Sequence, residues 1–163
     1  MHSGKAQHSL ISRQRGFGYL LVLFALAAMG LTLAGAGQVW HTLAQREKET
    51  QLLFVGNQFR QAIGAYYAFS PGEVKQYPAK LEDLLEDKRF PMPRRYLRQL
   101  YRDPMTGGTQ WGLVKAGDRI LGVHSLSEGV AFRTVFEGRD ASFTGMTHYN
   151  QWVFGPAAGE FVP

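Results

Sequence analysis

The sequence predicts an α+β fold in which one long N-terminal helix packs on a small antiparallel sheet. Two observations carry this expectation. Between Val39 and Phe69 the chain has no proline, and Leu52, Val55, Phe59, Ile63 and Tyr66 recur at spacings of three and four, which lays them along one helical face. After Ser70 the pattern changes to short apolar runs separated by turn residues rich in Gly, Pro and Asp, as small sheets require.

The helix begins further back. Phe17 to Trp40 carries no charge and follows directly on the basic leader MHSGKAQHSLISRQRG. At about 1.5 Å per residue this run makes a helix of roughly 36 Å, enough to cross a hydrocarbon core of about 30 Å. Lys5, Arg13 and Arg15 precede it and no acidic residue occurs before Glu47, so the N-terminus is expected in the cytoplasm and everything after Gln45 across the membrane. The polar run from Gln45 to Gln51 consists of good helix formers. One helix from about Phe17 to about Phe69 would be roughly 80 Å long, with one half apolar and the other amphipathic.

Ser70-Pro71-Gly72 ends that helix, because proline disfavours the helical conformation of the residue before it. Lys80 to Asp87 is expected as a short helix with Leu81, Leu84 and Leu85 on one face and Glu82, Asp83 and Glu86 toward water. Phe90-Pro91-Met92-Pro93 breaks regularity, Arg94 to Tyr101 allows a further turn or two of helix, and Asp103-Pro104-Met105-Thr106-Gly107-Gly108 reads as a tight loop. Thr109–Val114 and Arg119–Leu126 flank Lys115-Ala116-Gly117-Asp118 as a hairpin. Val130–Phe136 and Tyr149–Phe154 are further strand candidates, with a turn at Glu137–Asp140. Leu52, Val55, Phe59 and Ile63 would meet Trp111, Leu113, Ile120 and Val123 on the inner face of the sheet.

Chemistry is sparse. There is no cysteine, hence no disulfide framework and no thiol reactivity. The five histidines have no partners at ligand spacing, and Ser125 lacks the setting of an activated nucleophile. No catalytic residue, cofactor or metal ligand is assigned, and the chain is not expected to be an enzyme. Arg94, Arg95, Arg98 and Arg102 form a candidate interaction patch. The alternative is a solvated basic face balanced by Glu82, Asp83, Glu86 and Asp87.

The leader ending in Arg15-Gly16, followed at once by Phe17 and an uncharged run that merges into an amphipathic helix, resembles the class III signal of type IV pilins and type II secretion pseudopilins. Tyr77-Pro78 with Leu81, Leu84 and Leu85, and Asp103-Pro104 with Gly107, are similar to signatures of the major-pseudopilin-like branch. The resemblance implies a pilin-like fold. It also implies a prepilin peptidase that cuts between Gly16 and Phe17 and methylates Phe17, and partners among other pseudopilins or pilins and an inner-membrane assembly platform. Family subunits usually carry glutamate at the fifth mature position, here Leu21, and tip-type subunits lack it. Major pseudopilins bind calcium through an aspartate-rich loop, but the corresponding Gly122–Gly129 offers one carboxylate, where calcium takes six to eight oxygens. Removing Lys5, Arg13 and Arg15 with the leader takes the net charge from +5 to 15 basic against 13 acidic residues, a balance that gives nucleic-acid binding no support.

The expected organisation is a leader at 1–16, a transmembrane helix at 17–45, its amphipathic continuation at 46–69, and a small periplasmic α+β domain at 70–163. The function implied is a structural subunit of a type II secretion or type IV pilus-type assembly, single-pass in a bacterial inner membrane with its C-terminal domain in the periplasm. Small residues including Gly35 and Gly37 would let such helices bundle, and the same glycines would permit local unwinding. Two alternatives remain. Ala34-Gly35-Ala36 suits cleavage of an ordinary secretory signal after Ala36, and an uncleaved anchor could display a periplasmic binding or sensing domain.

Overall fold

The computed structural model describes residues 15–156, with 15–17 and 30–39 described in backbone only. Helix α1 spans Arg15–Ala68, beginning at the first described residue and ending within one residue of the expected Phe69. It passes through Gly35 and Gly37 without interruption. The chain divides into two compact units, Met1–Leu43 and Ala44–Pro163. Only the second has a core of its own among the described residues.

In that second unit the expected helical stripe is the centre of the core. Leu52, Phe59 and Ile63 are fully buried, and Val55, Ala62 and Tyr66 nearly so. Gly56 lies on the same face because a ring needs its place: a Cβ there would overlap the Phe154 side chain. Helix α1 stops where the sequence says it must, and its last carbonyls are satisfied from elsewhere. Arg89 Nη2 donates to Tyr66 O at 2.9 Å, Lys75 Nζ to Ala68 O at 2.8 Å, and Ser70 Oγ to Tyr66 O at 3.2 Å. The last turn carries no basic residue of its own, so these two cations supply the positive charge that a helix C-terminus favours.

Strands β1 (Gly112–Ala116) and β2 (Arg119–His124) form an antiparallel hairpin with Leu113 opposite Val123 and a bulge between Val114 and Lys115. Its two-residue loop is Gly117-Asp118, with Gly117 at φ 57°, a backbone region closed to most side chains. Among the described residues this is the whole sheet, two strands rather than three or four. Val130–Phe136 and Tyr149–Phe154 pair only at single points, Val130 with His148 and Val123 with Phe154. Side chains take the backbone groups that longer ladders would need: Phe132 N donates to the Glu49 carboxylate at 2.6 Å and Phe136 N to Thr144 Oγ1 at 3.1 Å. This is the competition that polar side chains offer to regular structure. The turn expected at Glu137–Asp140 extends into a 3₁₀ helix, Gly138–Phe143.

Two helical expectations shorten for the same reason. Lys80–Asp87 keeps only a 3₁₀ turn, Leu81–Leu84, because Leu84 O accepts from both Tyr96 N and Leu97 N at 2.9 Å instead of from its own helix. Arg94–Tyr101 is correspondingly irregular, a series of bends with Arg94 bridged to Asp87.

Trp111, Ile120 and Val123 meet the helix stripe as expected, but Leu113 is 38% exposed. Strand β2 is flanked on its other side by Phe154, which leaves β1 at the margin and Leu113 with it. Phe154 belongs to an aromatic cluster the linear pattern did not announce. Phe143 stacks on Trp152 with ring centroids 5.9 Å apart, and Phe136 and Tyr149 meet Trp152 edge-on at 5.0 and 5.2 Å, geometries that aromatic quadrupoles favour.

Candidate functional site

Three regions hold the residues of functional interest. The first is the start of α1. Gly16 and Phe17 lie in its first turn, and Leu21 is 58% exposed. The large apolar side chains described from Tyr19 to Met29 are all exposed, with Phe24 highest at 77%. Tyr19 to Phe24 are consecutive, and at about 100° per residue they cover the whole circumference, so this helix is apolar on every side. Such a surface belongs in a core or in lipid. Among the described residues no helix is long and apolar enough to cross a membrane. Side chains 30–39, which complete the expected span, lie outside the described residues, as does the leader before Arg15.

The second is the arginine patch. Arg94, Arg95, Arg98 and Arg102 are all exposed, and Leu97, buried among them, holds the segment on the core. The Arg94 guanidinium lies 4.3 Å from the Phe90 ring centroid and 5.7 Å from that of Phe69, and Arg95 Nε donates to Leu85 O at 3.3 Å. None of the four arginines is ion-paired within 4 Å with Glu82, Asp83, Glu86 or Asp87. Asp83 accepts from Ala79 N and Lys80 N at 3.1 and 3.0 Å, and Glu86 faces Lys88 at 3.8 Å.

Asp87, expected among the solvated carboxylates, is instead buried and paired with Arg89 at 2.7 Å. Burial by itself would raise the Asp87 pKa, but hydrogen bonds from the Arg89 side chain and backbone, the Arg89 charge and the Tyr96 hydroxyl outweigh it and hold it below the ordinary value. A carboxyl whose folded pKa is depressed stabilises above its unfolded value of about 3.9, and that contribution is lost as pH falls through the folded value. Unfolding midpoints measured from pH 5 downward should therefore drop steeply below about pH 4. In Asp87→Asn the midpoint should start lower and the acid limb should be flatter. An equally steep limb in the variant would assign acid lability to other carboxylates.

The third region was missed in the sequence. Glu49, on α1, is buried, and its Oε1 accepts from Phe132 N at 2.6 Å, Tyr149 Oη at 2.9 Å and Arg133 N at 3.4 Å. Tyr149 Oη also accepts from Gln45 Nε2 at 3.1 Å. One carboxylate thus clasps a loop more than eighty residues away. It sat within an ordinary polar helical run, so nothing in the local pattern marked it.

The remaining polar groups serve the fold. Ser125 Oγ donates to Asp103 Oδ2 at 2.7 Å, and His124 Nδ1 lies 2.9 Å from Ser125 O, so serine and histidine form no nucleophile–base couple. Asp103 also accepts from Met105 N and Thr106 Oγ1 at 2.9 and 3.0 Å, which closes the Asp-Pro loop. Among the described residues no group of three or more His, Asp or Glu is placed to hold a metal ion.

Comparison with family models, with curated proteins and with solved structures finds no match for this chain.

Proposed function

We propose that this chain is a pseudopilin-like structural subunit of a type II secretion or type IV pilus-type assembly. In this reading it is cut between Gly16 and Phe17 by a prepilin peptidase, anchored by a single inner-membrane span, and displays its α+β domain in the periplasm. The observation that carries the reading is the contrast along α1. Its residues 19–29 are apolar and exposed on every side, whereas its later turns bury a stripe in the domain that follows. A helix with the first property needs a second apolar medium, lipid or neighbouring helices. The engagement of Ser125, His124 and Asp103 in structural hydrogen bonds supports a role without catalysis. Leu21 in place of the usual glutamate favours a tip or minor position, since an unpaired carboxylate in lipid is costly. The exposed arginines 94, 95, 98 and 102 would contact acidic surfaces of neighbouring subunits or of the assembly platform.

Mass spectrometry of the N-terminus after co-expression with a prepilin peptidase tests the reading. The mature chain is expected to begin at a methylated Phe17, and Gly16→Leu should block processing, because the reacting backbone must be approached closely. A new terminus at Gly37 would establish a soluble secreted domain instead. An unprocessed chain in the membrane would leave the plain anchor.

A further inference from the structure

We infer that the loop 126–135 is a membrane-contact surface, seating Val130, Phe132 and Val135 in the interfacial layer of an anionic bilayer while Arg46 and Arg133 meet lipid phosphates. The inference rests on the anchor proposed above and adds a second point of contact with the same membrane.

The first ground is the way the loop is held. Glu49 takes the backbone N–H groups of Phe132 and Arg133, Ala131 N donates to Thr147 O at 2.8 Å, and Val130 bridges to His148. Ala131 is buried, and in extended backbone its neighbours must then face outward. Val130 is 67%, Phe132 50% and Val135 69% exposed. Single apolar residues on a surface are ordinary. Three within six residues of one loop, whose Phe132 and Arg133 N–H groups are held by the helix carboxylate Glu49, are more than the scattered single exposures that need no partner.

The second ground is charge. Arg46 and Arg133 line, with Glu49, Thr50 and Phe132, one open cleft of about 390 Å³ between helix and loop. The Glu49 carboxylate in it accepts, through Oε1, from the loop and from Tyr149 and keeps its charge, so the two guanidinium groups leave the cleft with a net single positive charge toward a ligand. Apolar side chains beside arginines match the chemistry of an anionic lipid interface.

The third ground is tether length. Only five residues separate Trp40, at the end of the uncharged run, from Arg46, a span of at most about 20 Å even when fully extended. Tryptophan is a residue of the headgroup layer, so a chain anchored through this run keeps Arg46 near that layer whatever angle the domain adopts.

The absence of cysteine from the chain allows a single nitroxide label to be placed at will. Full-length protein carrying Phe24→Cys, Phe132→Cys or Met92→Cys is labelled and reconstituted in vesicles of phosphatidylethanolamine and phosphatidylglycerol. Accessibility to oxygen, which partitions into lipid, is compared with that to a water-soluble nickel chelate by power saturation. The ratio of oxygen to nickel accessibility should be high at position 24, low at 92, where Met92 is 83% exposed, and several-fold above the position 92 value at 132. Adding Arg46→Gln and Arg133→Gln should lower the ratio at 132 and leave 24 unchanged. A lipid signal at 24 with an aqueous one at 132 overturns the inference and spares the anchor. An aqueous signal at 24 overturns both. A label at 132 shielded from both reagents means that protein covers the loop, which also overturns the inference.

Discussion

Phe59→Ala is expected to destabilise the domain by about 3–5 kcal/mol, the usual cost of emptying an aromatic site in a core. Phe59 is fully buried, and its ring meets Trp111 at 5.1 Å and Tyr101 at 6.4 Å between centroids. The ring therefore joins α1 both to the residue that leads into β1 and to the end of the irregular segment after Arg94. With total stabilities of about 5–15 kcal/mol for native domains, the variant should sit near its unfolding threshold. Urea unfolding followed by tryptophan fluorescence reads the effect directly, because Trp111 lies against the mutated site. An unchanged midpoint would mean that the helix does not depend on this packing.

Asp140→Ala should cost nearly as much by a different mechanism. Arg60 projects from α1 into the aromatic cluster, 4% exposed, and Nη1 donates to Asp140 Oδ1 at 2.7 Å. It also reaches Asn57 Oδ1 at 2.8 Å and Arg139 O at 3.1 Å, and its guanidinium lies 5.5 and 5.6 Å from the Phe143 and Phe154 rings. Removing the carboxylate leaves a buried cation without its counter-charge, which costs about 3–5 kcal/mol in comparable pairs. Replacing both partners with apolar residues is often neutral, so Arg60→Met combined with Asp140→Ala should recover most of the loss. A double variant as unstable as the single one would mean that Asp140 acts through its bonds to the helix Asn57 Nδ2, at 3.2 and 3.4 Å, rather than through charge.

Neither Glu49 nor Arg60 could be chosen from the sequence, and the physical reason is the same for both. Glu49 stands in a polar helical run and Arg60 between Phe59 and Gln61 on the helix, settings in which a charged side chain is normally solvated. Each is buried because a segment eighty or more residues away closes over it. Asp87 misled in a different way: it read as one of four solvated carboxylates, yet local partners, Arg89 two residues on and Tyr96 nine on, draw it inside. The four arginines from 94 to 102 were legible as a patch, because exposure follows from charge. That Asp83, Glu86 and Asp87 are engaged elsewhere was not.

By itself the sequence determined the long helix and its C-terminal end, the face of that helix which enters the core, the hairpin around Gly117, and the uncharged run that asks for an apolar medium. Those features depend on residues a few positions apart, whose spacing a helix or strand converts directly into a common face. The tertiary structure alone decided that the later segments make single bridges rather than strands, that Leu84 O serves Tyr96 and Leu97 instead of a helix, and that Glu49 and Arg60 become clasps. Backbone groups and charges pair with whichever partner the folded chain brings near, from about a dozen residues away at Leu84 to eighty or more at Glu49 and Arg60.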